Sequence, residues 1–507
     1  MRIKNSIRNT VSSIASIVIL TVLGFVSTKY FIKYLGVEYN GINGTFTNIL
    51  SILAITELGL GGAITYNLYK PIAEKNYKKI SSIMTFYKNC YRVIGIIIYT
   101  LSLITSIFIQ IFLKDTTFSV NYIRFLFILF AINTSISYFF SFNRNLFYAY
   151  EQNYIVTVID FIVRTIKIIL QIISLILWKN YILFLLINIF FTFLANFIIH
   201  LYAKKIYKNI SYKSECKDVE TEKEVFKYVK SYAVIQLLVA SINFTDSLIV
   251  SSFINVIVAG LYFNYNLIFS QVNRIINSFF NSIGASIGNL VVENNKNKIK
   301  IIFLNMEYLC FFMAMFCVAC FTFLTEPFIK LWIGPEYLLP FSTLLVLVFN
   351  FYSNIHRQPI NYFLSGNGMF KEMIKPLFIE SILNLVISIV LAIKIGLIGV
   401  FIGTAISAIA GWIYTSILIN RKNEMPVGKY FIRQIIFLSA TILELIVLKL
   451  IFMIYLPSSL LIQIIYIFII CCILSGFTIL VVLFKNEKVE YLKDLFIKML
   501  KKLKVLK

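Results

Sequence analysis

Residues 181–230 read YILFLLINIFFTFLANFIIHLYAKKIYKNISYKSECKDVETEKEVFKYVK, and the change of character inside this stretch decides the fold class. Tyr181 to Ala203 is a run of apolar side chains long enough to cross, as a helix, the roughly 30 Å hydrocarbon core of a bilayer. Lys204 to Lys230 then carries eight lysines and five acids (Glu215, Asp218, Glu220, Glu222, Glu224) and is the longest polar segment inside the chain. A span followed by a solvated connector predicts two bodies of transmembrane helices joined by a charged linker.

Working outward, comparable apolar stretches fall at 9–32, 44–67, 90–113, 123–147 and 155–178 before the quoted segment. After it they fall at 229–252, 260–290, 302–325, 338–364, 375–394, 397–420, 434–456 and 459–484, for about fourteen spans. The run from Val11 to Phe31 is too long for the apolar core of a cleaved signal and reads as the first span. The short link from Ile395 to Leu397 is compatible with either two helices or one kinked element. Of the 507 residues 59% are hydrophobic and 14% charged, too apolar for a soluble chain that must cover itself with polar groups. The expectation is an all-α integral membrane protein with an N-lobe at 1–203, the linker at 204–230, a C-lobe at 231–420, two further helices at 421–484 and a basic amphipathic tail at 485–507.

Orientation follows from where the basic residues lie. Alternate loops hold 32 of the 47 lysines and arginines, while the opposite set holds only Lys33, Lys114, Lys179, Lys330 and Lys394. Positive charge concentrates on the cytoplasmic side of membrane proteins, so both termini are expected in the cytoplasm. The net charge of +24 then needs no nucleic acid, because the excess sits beside an anionic leaflet. In the tail, Val489, Leu492, Phe496, Met499, Leu503 and Leu506 recur at helical spacing among lysines, as in a helix lying along the membrane surface.

Six spans lie on either side of the linker, and corresponding positions repeat at a nearly fixed offset. Val37-Glu-Tyr-Asn-Gly41 matches Val256-Ile-Val-Ala-Gly260 at 219, and Asp160 and Arg164 overlie Glu380 and Asn384 at 220. Arg144, nine residues before Asn153, corresponds to Arg357, ten before Asn367. An offset of an even number of spans implies two pseudo-symmetric lobes of parallel orientation, with the last two spans an appendage.

Ionisable residues inside spans are costly and tend to face a bundle interior or a watery cavity. Six of the ten arginines lie within or beside spans, and arginine's planar fork suits bidentate contact with phosphate or carboxylate. Asp160, Arg164, Lys167 and Gln171 form one polar stripe down the fifth span. In the eighth, Asn266, Ser270, Asn273, Arg274, Asn277 and Asn281 fall on successive turns and could meet sugar hydroxyls. The candidate substrate-binding residues are Arg144, Arg164, Lys167, Arg274, Arg357, Asn277 and Asn281; the bland alternative makes the asparagines interhelical glue and Asp160 with Arg164 a self-neutralising i,i+4 pair. Lys88, Arg92 and Arg124 lie close enough to span ends to snorkel. Glu57, Asp160, Asp246 and Glu380 are candidates for Na+ or H+ coupling, or counter-ions to the arginines, with Glu307 and Glu444 as further buried carboxylates.

The sequence holds no GxxxxGK[ST] phosphate loop and no HExxH, and only two histidines, His200 and His356. Neither a nucleotide-driven engine, a metal nor another cofactor is expected, and the scattered carboxylates offer no convergent catalytic pair. Cys317 and Cys320 have CxxC spacing without a second pair, so the seven cysteines read as small hydrophobes.

Asn5-Ser-Ile-Arg-Asn9, Tyr34-Leu-Gly-Val-Glu-Tyr-Asn-Gly-Ile-Asn-Gly44, Asn48-Ile-Leu-Ser-Ile-Leu53 and Thr56-Glu-Leu-Gly-Leu-Gly61 together carry a family resemblance. The chain resembles the bacterial polysaccharide-transport branch, the O-antigen or capsule repeat-unit flippases, of the multidrug/oligosaccharidyl-lipid/polysaccharide flippase superfamily. The resemblance implies a flippase, not an enzyme, that moves undecaprenyl-diphosphate-linked oligosaccharide across the bacterial cytoplasmic membrane by alternating access, for lipopolysaccharide or capsule biosynthesis. It implies as partners the polyprenyl-diphosphate-linked glycan, membrane lipids, and a glycan polymerase and glycosyltransferases. A drug or metabolite exporter of the same superfamily and a non-transporting scaffold for glycan enzymes are the competing functions.

Overall fold

The computed structural model describes residues 2–54, 60–211, 219–292 and 295–485. They are helical nearly throughout, because a chain in hydrocarbon must satisfy its backbone internally and helices do this segment by segment. In order, the helices are α1 (Arg2–Leu35), α2 (Val37–Leu53), α3 (Leu60–Ala73), α4 (Tyr77–Ile107), α5 (Val120–Ser141), α6 (Arg144–Ala149), α7 (Asn153–Trp178), α8 (Tyr181–Ile206) and α9 (Val219–Ile249). They continue as α10 (Val256–Val292), α11 (Lys296–Trp332), α12 (Phe341–His356), α13 (Gln358–Gly366), α14 (Phe370–Ile395), α15 (Leu397–Lys422), α16 (Val427–Ile454) and α17 (Leu460–Lys485). Asparagine side chains start several of them: Asn76, Asn180 and Asn295 accept the backbone N–H three residues on, in α4, α8 and α11.

Among the described residues, eleven helices are long and apolar enough to span a bilayer, which makes this a multi-pass membrane protein. Of the other three expected spans, 44–67 includes residues 55–59, which lie outside the described residues, 260–290 falls on α10, and 338–364 is shared between α12 and α13. The break after α12 has a local cause, since Pro359 lacks an N–H and enters the first turn of α13. The link at Ile395 to Leu397 resolves as a helical hairpin: Gly396, at φ +70°, turns the chain and α14 and α15 pack along their length. The tail at 485–507 lies outside the described residues beyond Lys485.

The chain forms two compact units, Met1–Asn264 and Tyr265–Lys507. The compact division therefore falls inside α10, later than the charged linker, and α9 packs with the first unit. In that unit Phe31, Phe46, Phe127, Phe130 and Tyr181 build one core, and Ile80, Met84, Tyr87, Tyr91 and Leu146 a second. Two small residues set a close crossing there: a Cβ on Gly41 would stand 2.0 Å from the Val256 carbonyl oxygen, and one on Gly260 2.3 Å from that of Val37. The matching Val-to-Gly segments of the internal repeat thus cross reciprocally, and Asn40 Nδ2 seals the crossing by donating to the Gly260 carbonyl (3.1 Å) and Asn264 Oδ1 (3.0 Å).

In the second unit, α16 and α17 pack on α11. Phe311 and Phe437 stack with centroids 4.4 Å apart, and Ala319, Leu448, Ile467 and Cys471 form a further cluster. The final helices are therefore anchored by packing, and also by an ion pair described below. Cys90, Cys310, Cys317, Cys320, Cys471 and Cys472 are not joined in disulfides.

Candidate functional site

Two of the candidate arginines sit at helix breaks. In the first unit α5 stops at Ser141 and α6 begins at Arg144. The guanidinium is held in a fork: Nη1 donates to Asp160 Oδ2 at 2.6 Å, Nη2 to Asp160 Oδ1 at 2.9 Å, and Nε to Asn196 Oδ1 at 3.0 Å. Asp160 stands on α7, so this fork ties the break to the polar stripe. The alternative that pairs Asp160 locally with Arg164 does not hold, because both carboxylate oxygens bond Arg144.

The second unit repeats the design. Arg357 separates α12 from α13 and donates from Nη1 and Nη2 to Glu380 Oε1 and Oε2 on α14, both at 2.6 Å. Glu380 is 1% exposed. Room for the pair comes from Gly411 on α15, where a Cβ would lie 2.1 Å from Glu380 Oε2 and 3.3 Å from Arg357 Nη2. An arginine at a helix break bound to a carboxylate on the next long helix is thus present in both units, with the two carboxylates at positions the repeat offset aligned. In the structure Asp160 and Glu380 serve as counter-ions.

The remaining cations are not neutralised in this way. Among the described residues, Arg164, Lys167 and Arg274 form no ion pair. Lys167 Nζ donates to the neutral Asn188 Oδ1 at 2.9 Å, and Arg274 Nη1 to the neutral Gln271 Oε1 at 3.4 Å. Arg164 is exposed, yet the exposed isoleucines of α7 (Ile162, Ile166, Ile169, Ile173) point elsewhere. At about 100° per residue they centre roughly 170° around the helix from Arg164. Asp160, Lys167 and Gln171 share the arginine's side, so this face is polar while the opposite one suits lipid.

On α10, Asn277 and Asn281 are exposed and their Oδ1 atoms accept from α13, Asn277 from Gln358 Nε2 at 3.1 Å and Asn281 from the Tyr362 hydroxyl at 2.6 Å. Helix glue is therefore one established use of both. Asp246 is buried in α9, and Glu57 lies outside the described residues. Of the residues expected to snorkel, Arg124 donates from Nη2 to the Ile107 carbonyl at 3.1 Å, closing the end of α4.

Sequence reading did not find a second polar network. Glu307 on α11 accepts from Arg433 Nη2 at 2.6 Å and from Gln434 Nε2 at 3.0 Å, and Gln434 Oε1 lies 3.0 Å from His356 Nδ1. This buried chain fastens α16 to α11 and α12, and no spacing in the sequence announces it. A different feature had a readable signal: Gly399, Gly403, Ser407 and Gly411 recur every four residues, the small-residue stripe that lets α15 approach α14.

No protein-family model matches the chain and no curated protein matches its sequence. Solved structures do match its fold. An inward-facing multidrug-resistance MATE transporter of the MOP superfamily superposes with a TM-score of 0.65 and 14% identity, covering 79% of this chain and 95% of its own. The lipid II flippase MurJ, in an inward closed conformation, gives 0.63 and 16%, covering 93% of this chain and 98% of its own. A MOP-superfamily transporter from Pyrococcus furiosus gives 0.56 and 13%, covering 82% and 96%. The chain has the fold these transporters share.

Proposed function

We propose that this chain is a flippase for polyprenyl-diphosphate-linked oligosaccharide, working across the bacterial cytoplasmic membrane with both termini in the cytoplasm. The observation that carries the reading is the polar face of α7, where Arg164 and Lys167 lie one turn apart with no carboxylate to neutralise them. A cationic face kept away from lipid calls for an anion, and a diphosphate supplies two or more negative charges. Arg144 and Arg357 have a narrower role in this proposal: each is already answered by a carboxylate, Arg144 positioning α7, which carries the polar face, and Arg357 positioning α14.

The MurJ superposition supports a lipid-linked substrate, because it extends over 93% of the chain against 79% for the MATE structure. The MATE likeness favours a second reading, export of a drug or metabolite. Against it, Asp160 and Glu380 are spent on arginines, so their charge is not available to a cationic drug.

The test is flipping of a fluorescent undecaprenyl-diphosphate oligosaccharide in proteoliposomes. Wild type is expected to flip it, and Arg164→Gln/Lys167→Gln to do so at least about tenfold more slowly, the worth of one or two charge-assisted hydrogen bonds. Unimpaired flipping by a folded double variant removes these cations from the site. Failure of wild type together with uptake of cationic dyes establishes the exporter instead.

A further inference from the structure

A cavity of about 580 Å³ opens between α4, α5 and the end of α8 in the first unit, sharing no residue with the candidate substrate site. Four cations line it: Lys88 and Arg92 from α4, Lys204 from α8, and Lys208 just beyond it. No aspartate or glutamate is among the described residues of its wall. Lysine and arginine head groups gathered in one cavity suit phosphate oxygens.

Apolar side chains continue from this polar floor. Phe139 and Phe140 belong to the wall, and Val93 and Ile96, the residues that follow Arg92 up α4, are 55% and 58% exposed. A free phosphate would use the cations and leave this apolar continuation without a function; a phosphate on a hydrocarbon chain uses both. On the sidedness read from the lysines, α4 begins and α8 ends at the cytoplasmic face, where anionic headgroups lie. We propose that this pocket binds the phosphate of an anionic phospholipid from the cytoplasmic leaflet, whose acyl chain runs along the exposed face of α4. This site does not depend on what the protein transports.

Native mass spectrometry of the delipidated full chain, titrated with phosphatidylglycerol, phosphatidylcholine or inorganic pyrophosphate, tests it. Wild type is expected to retain phosphatidylglycerol at least about tenfold better than phosphatidylcholine, from several lysines each contributing about fivefold. Lys204→Gln/Lys208→Gln is expected to lose most of that preference. Lys204→Arg/Lys208→Arg, which keeps the charge, and Lys371→Gln/Lys422→Gln, which removes the same charge elsewhere, are expected to retain it. An unchanged preference in the Lys204→Gln/Lys208→Gln protein overturns the site. Equal loss in the Lys371→Gln/Lys422→Gln protein reduces it to general surface charge, and pyrophosphate binding as strongly as phosphatidylglycerol replaces the lipid with a soluble anion.

Discussion

Arg357 and Glu380 show what a buried ion pair does to the meaning of a mutation. Their bond is bidentate at 2.6 Å on both arms, with Glu380 1% exposed. Removing one partner leaves the other charge without compensation, whereas replacing both with apolar residues of similar volume leaves none. Glu380→Ala and Arg357→Ala are each expected to cost about 3 kcal/mol or more, and Arg357→Met/Glu380→Leu much less, in thermal unfolding of the solubilised protein. The same cycle separates structure from substrate binding. The double variant is expected to keep most of its flipping, because the pair positions α14; a folded double variant that no longer flips would place the guanidinium on the substrate. Asp160 and Arg164 were legible in the sequence as neighbours on one helix face. That Asp160 belongs to Arg144, sixteen residues back across a helix break, was not, because periodicity carries no information between helices.

Helix crossings here depend on missing side chains more than on apolar area, since lipid is as apolar as a leucine and gives no hydrophobic drive for association. Gly41, Gly403 and Gly411 each stand where a Cβ would come within 2.0 to 2.4 Å of an opposing atom, at the α2–α10 crossing and along the α14–α15 hairpin. Gly24, on α1, has nothing within 4 Å of the same position. Gly41→Ala and Gly403→Ala are accordingly expected to destabilise by about 1 to 3 kcal/mol through overpacking, and Gly24→Ala to be neutral or slightly stabilising, as measured by thermal unfolding in detergent. Equal effects at all three would mean that the crossings relax freely. The apolar runs themselves were readable, and those within the described residues fall on helices. The helix breaks were less so. Pro359 marks the start of α13, but nothing comparable marks Phe142 and Asn143, where the composition stays apolar up to the turn.

At the level of the whole chain, composition supplied the membrane class and lysine placement an expectation of sidedness, and the spacing of Arg144 before Asn153 and of Arg357 before Asn367 matched the two arginines before either partner was visible. The number of crossings depends on the stretches 44–67, 260–290 and 338–364, which separate the fourteen expected spans from the eleven that, among the described residues, qualify on length and apolarity. Each crossing reverses the side on which the next loop emerges, so a reporter pair bracketing each doubtful stretch reads it independently of the others. Alkaline phosphatase, active only outside the cytoplasm, is expected to be active when fused after Gly36, Asn255 or Gly334 and inactive after Lys75, Lys296 or Gly368. Activity that does not change across any one of the three pairs would show that the stretch between them stays on one side. The loops beyond it would then exchange sides, and the lysine-rich and lysine-poor sets would no longer alternate, against the charge bias that orients membrane helices.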